Sequence, residues 1–91
     1  MENKFDIINR KDLYIYLHQF SLSNIELLNS SKLCGCFYCK RIFDKELIKD
    51  WIPDKGGKTA LCPFCAVDSI LPDSVTELSK KLLDEMHEYW F

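Results

Sequence analysis

Cys36-Phe37-Tyr38-Cys39 and Cys62-Pro63-Phe64-Cys65 decide how this chain is read. Two residues between the cysteines of a pair let both sulfurs face one point from a single tight turn. Two such pairs supply the four sulfurs of a tetrahedral shell, the arrangement that Zn²⁺ takes in structural sites. The intervening residues 40–61 are slightly more than the usual window for this pattern, and a β-hairpin excursion covers them. We therefore expect one structural Zn²⁺ held by Cys36, Cys39, Cys62 and Cys65. Disulfides fit less well, because nothing at the start of the chain resembles an export signal. A redox dithiol fits less well too, because such a motif usually occurs once, within a βαβ unit that this chain lacks.

Cys34 is a fifth cysteine. Cys34-Gly35-Cys36 is too tight for two ligands of one ion, so Cys34 is expected to be a packed, spare thiol. An alternative role in thiol redox or zinc sensing rests on this residue alone. His18 and His87 are far from the pairs in sequence, and four thiolates already fill the shell.

A chain of 91 residues forms one small domain, 1–91. At this size the apolar core is marginal, and a metal contributes folding free energy directly. The hydrophobic fraction of 47% argues against disorder. No apolar run reaches the ~18 residues of a membrane span. Met1-Glu2-Asn3-Lys4 leads into no apolar segment, so a cytoplasmic setting is expected.

Working outward from the cysteines, the zinc-binding segment is taken as 32–72. Asp44 can cap a short turn through Lys45, Glu46 and Leu47. Trp51-Ile52, the turn Pro53-Asp54-Lys55-Gly56-Gly57 and Thr59-Ala60-Leu61 read as a β-hairpin that delivers Cys62. A short helix is expected over 66–71, ended by Pro72. Upstream, 1–31 reads as helical. Leu13, Leu17 and Phe20 share a face, and Ser23-Asn24-Ile25-Glu26 has the form of a capping box for a second helix. Downstream, 73–91 reads as one amphipathic helix started by a capping box at Ser74-Val75-Thr76-Glu77, with Leu78, Leu82, Met86 and Tyr89 on one stripe. The predicted fold class is α+β. It is a small Cys₄ centre, treble-clef or zinc-ribbon-like about a β-hairpin, flanked by N-terminal helices and a C-terminal helix.

Charge is uneven along the chain. Segment 32–65 carries seven bases against four acids, and 66–91 carries six acids against Lys80 and Lys81. Nucleic acid is a disfavoured partner, because the chain has pI ≈ 5.6 and phosphate binding draws on net cation density. No phosphate-binding loop, catalytic triad or carboxylate pair is present. No His-x-Glu precedes Cys62, which argues against deaminase chemistry. A closed four-ligand site leaves no position for a reacting water. The chain is thus expected to be non-enzymatic and to bind a protein partner.

Cys34-Gly35-Cys36-Phe37-Tyr38-Cys39, Ile42-Phe43, Ile48, Trp51, Thr59-Ala60-Leu61-Cys62-Pro63-Phe64-Cys65, Asp68-Ser69, Met86-His87 and Trp90-Phe91 together resemble a family of small bacterial cytoplasmic proteins. The resemblance covers about residues 27–91. It implies a bacterial cytoplasmic setting and the same four-cysteine site, and it carries no activity. Members of that family tend to have glycine where this chain has Ala66. Small acidic intracellular proteins of this kind include immunity proteins that neutralise a basic toxin, and the acidic tail makes such a partner the leading expectation. A nucleic-acid-binding zinc-ribbon regulator is the alternative.

Overall fold

The computed structural model describes residues 2–54 and 56–91, with side chains described from Arg10 onward. The readings placed on Met1 and on Lys55 in the hairpin turn lie outside the described residues. The architecture is α+β. Helix α1 spans Glu2–His18 and runs into a 3₁₀ turn at Gln19–Ser21, followed by α2 at Ile25–Asn29. Five strands follow: β1 Leu33–Cys36, β2 Ile42–Asp44, β3 Trp51–Asp54, β4 Gly57–Ala60 and β5 Ile70–Pro72. Helix α3, Lys80–Trp90, ends the described chain.

The strands form two antiparallel sheets. β1 is central in a three-stranded sheet of order β2-β1-β5, and β3 and β4 form the hairpin. Cys34 faces Phe43 on β2 and Pro72 on β5, and Cys36 faces Ile70. Side chains alternate across a strand, so Cys34 and Cys36 share one face of β1. That face joins Leu28, Phe43, Ile48, Ala60, Cys62 and Ile70 in one buried cluster. The opposite face meets the helices, where Leu71 lies with Leu17, Phe37, Leu82, Leu83 and Met86. Gly35 makes that approach possible. A Cβ built there would lie 3.1 Å and 3.3 Å from the two Cδ atoms of Leu83 and 3.4 Å from Leu78. The sheet thus sits between the metal-site cluster on one side and α1 and α3 on the other.

Three local readings differ from the sequence. Residues 66–71 form no helix: Ile70–Pro72 is strand β5, because pairing along β1 satisfies its backbone and buries Ile70 and Leu71 completely. Ser23 does not cap α2. It sits at φ 48°, and its hydroxyl donates to Asp54 Oδ2 at 3.0 Å. Asn24 occupies the cap position without a side-chain cap bond. Ser74 does not start the last helix either; its hydroxyl donates to Leu27 O at 3.1 Å. Helix α3 begins six residues later, with Ser79 Oγ accepting from Leu82 N. At both serines a tertiary partner outcompetes the local cap. The cap at Asp44 is present, with its carboxylate accepting from Glu46 N at 2.8 Å.

Asn24 is the main polar tie in the core. It is fully buried, its amide nitrogen donates to Phe20 O and Ile70 O at 3.0 Å each, and its oxygen accepts from Ala60 N at 3.1 Å. One side chain joins the 3₁₀ turn, β5 and β4.

Candidate metal centre

The two Cys-x-x-Cys stretches fold into matching knuckles. Lys40 N donates to Cys36 O at 2.7 Å, and Ala66 N donates to Cys62 O at 2.9 Å. Each turn is closed again by the first cysteine's N–H, which donates to Arg41 O in the first knuckle and to Val67 O in the second. The residue after each second cysteine is left-handed, with φ 68° at Lys40 and 67° at Ala66. A non-glycine residue pays about 1–2 kcal/mol for that conformation. The chain meets this cost twice, at the residues whose amides close the knuckles on Cys36 O and Cys62 O.

The knuckles bring four sulfurs together. The Sγ atoms of Cys36, Cys39, Cys62 and Cys65 all lie within 4.8 Å of one another. Cys36 Sγ is 3.7 Å from Cys65 Sγ, and Cys39 Sγ is 3.7 Å from Cys62 Sγ. Four sulfurs about 2.3 Å from a central ion stand about 3.8 Å apart, so these separations suit one tetrahedral metal. None of the five cysteines is in a disulfide. Donor chemistry and spacing both fit a single thiophilic ion.

Amide groups surround the sulfurs. Tyr38 N donates to Cys36 Sγ and Phe64 N to Cys62 Sγ, each at 3.4 Å. The amides of Arg41 and Val67 serve Cys39 and Cys65 in the same way. Every sulfur therefore receives an N–H from two residues downstream, which spreads the negative charge that four thiolates bring. Ser69 adds a hydroxyl 3.1 Å from Cys36 Sγ and is itself buried. Nothing in the spacing of the sequence points to Ser69, because β5 brings it back to β1.

Burial and these donors work against each other. Burial pushes the Cys36 thiol up, opposed by the Ser69 hydroxyl and by the amides of Cys39 and Tyr38. Burial also raises Cys65. At Cys39 burial is outweighed by the Arg41 amide, the neighbouring thiols and the Arg41 guanidinium, and the net direction is down. The guanidinium also lies 4.7 Å from the centre of the Phe64 ring. Lys40 turns away and pairs with Asp84 at 3.3 Å.

Cys34 lies outside the sulfur cluster. It is fully buried 3.7 Å from Phe43 O, and burial pushes its thiol up to about 12. It behaves as a packed apolar side chain. Neither histidine joins the sulfurs. His87 Nδ1 is 3.2 Å from Phe37 O, and the His18 ring lies 4.0 Å from that of Trp90. Phe91 touches Phe37, Tyr38 and His87 and so braces the first knuckle against α3, whereas Trp90 Nε1 donates to Tyr14 O at 3.3 Å on α1; both stay partly exposed. Among the described residues, no helix is long and apolar enough to cross a membrane. No family model, curated protein or solved structure matches the chain.

Proposed function

We propose that the chain is a zinc-stapled, non-enzymatic protein-interaction module of the bacterial cytoplasm, with a basic protein such as a toxin as its stoichiometric partner. The observation that carries the metal half is the four-sulfur cluster with its 3.7 Å edges. An all-sulfur tetrahedral shell selects Zn²⁺ or iron, and a closed set of four ligands is structural in zinc proteins. Strand β5 at Ile70–Pro72, in place of a helix directly after Cys65, supports a zinc-ribbon-like centre over a treble clef. The acidic tail and partly exposed terminal aromatics support the binding half, since aromatic side chains concentrate in protein interfaces.

Affinity capture on the immobilised, zinc-loaded chain tests this reading, with the product of a neighbouring gene as candidate. The reading expects one polypeptide retained in equimolar amount by the native chain and lost with Cys39→Ser. Recovery of RNA or DNA without protein overturns it in favour of a nucleic-acid module.

A further inference from the structure

Helices α1 and α3 do not close fully on each other. Between them lies an open cleft of about 400 Å³ lined by Tyr14, Asp84, Glu85, Glu88 and Tyr89. The volume falls in the range of sites that hold small ligands or single side chains. The Tyr14 and Tyr89 rings pack against each other, with centroids 5.6 Å apart, and form its apolar side. Among the described residues the other three lining groups are carboxylates.

The chain itself shows which chemistry the rim accepts. The Arg10 guanidinium binds the Glu85 carboxylate, and its Nε donates to the Tyr14 hydroxyl at 3.3 Å. Lys40 occupies Asp84 at 3.3 Å. Glu88 is exposed and, among the described residues, makes no ion pair. One carboxylate therefore remains to receive a cation beside two tyrosine rings. Tyr89 continues into Trp90 at 5.0 Å, which extends the aromatic surface beyond the cleft. A guanidinium stacks on such rings and pairs with a carboxylate at the same time, which an ammonium does less well.

We propose that this cleft is the docking site for an arginine side chain on a basic segment of the partner protein. The inference rests on the interaction-module reading and names the surface it uses. Charge complementarity selects the occupant: Glu85 and Asp84 are already paired, and the remaining Glu88 carboxylate beside the tyrosine rings attracts a guanidinium.

The test uses the zinc-loaded full chain and the peptide acetyl-Gly-Arg-Gly-Arg-Gly-amide as probe, followed by ¹H–¹⁵N NMR. Saturable shifts centred on Tyr14 and Tyr89 are expected. Replacing both arginines of the peptide by neutral citrulline should abolish them. Glu88→Gln and Tyr89→Leu should each weaken binding about fivefold, with a native spectrum and one zinc retained. Equal binding of the citrulline peptide, or unchanged affinity in both variants, overturns the proposal. So does saturable binding of an oligonucleotide alone at Tyr14 and Tyr89, or a concentration-dependent dimer that fills the cleft. If Glu88→Gln captures the protein partner as well as the native chain, the cleft assignment falls and the interaction reading stands. If neither chain captures a protein, the interaction reading itself falls.

Discussion

Replacing Asn24 with alanine should be among the most damaging single changes outside the cysteines. The side chain is fully buried and makes three hydrogen bonds, to Phe20 O, Ile70 O and Ala60 N. The bonds to Ile70 and Ala60 are themselves buried, so truncation leaves a carbonyl and an amide without partners. Each orphaned buried group costs about 1–3 kcal/mol, for a total of roughly 2–6 kcal/mol. A chain of this size has a total stability of about 5–14 kcal/mol, so a large fraction is lost. For a domain of this length each kcal/mol moves Tm by about 4–8 °C, and a fall of at least about 10 °C is expected. Asn24→Asp keeps the shape but removes both donors when ionised, so its penalty should grow as pH rises and the carboxyl deprotonates. Urea unfolding of zinc-saturated protein, at fixed excess zinc so that ligand linkage is constant, reads the difference directly. A loss below about 0.5 kcal/mol for Asn24→Ala, the scatter of neutral surface changes, would refute the argument that this residue ties the 3₁₀ turn, β5 and β4 together.

Cys34→Ser should leave metal stoichiometry at one while lowering stability, whereas Cys39→Ser should lose the metal and the cooperative fold; elemental analysis and thermal melts separate the two. Gly35→Ala places a methyl group about 3.1 Å from Leu83 and should cost about 1–3 kcal/mol by pushing α3 outward; if Gly35→Ala melts like the native protein, the close approach of α3 to β1 is wrong. Ser69→Ala removes the hydroxyl on Cys36 and should weaken metal affinity by about tenfold, read by chelator competition; unchanged affinity would mean that this contact does not tune the site.

The parts of the fold that were legible are those set by local chemistry. Two residues between cysteines force a knuckle, Asp44 finds an amide two residues on, and Gly56-Gly57 reverses the hairpin. The ligand quartet was legible as a spacing, and the structure brings the same four sulfurs together. What was not legible depends on residues distant in sequence. β5 forms because β1 offers it an open edge, and it overrides the helical reading of 66–71. Ser23 and Ser74 have the form of helix caps, yet each is taken by a partner at least 31 residues away. Asn24 and Ser69 are ordinary polar residues in the sequence; only the return of β5 to β1 and α2 gives them buried partners. Ala66 stands where the resembled family tends to have glycine, and the knuckle imposes the left-handed conformation on it as it does on Lys40.

The metal content of anaerobically purified protein bears most directly on the central claim. At neutral pH the account expects one zinc per chain by native mass spectrometry. Acidification should release it, because each thiolate must take up a proton and burial already favours the protonated form of Cys36 and Cys65. Cooperative melting should vanish with the metal. Protein that carries no stoichiometric metal and still melts cooperatively would contradict the account.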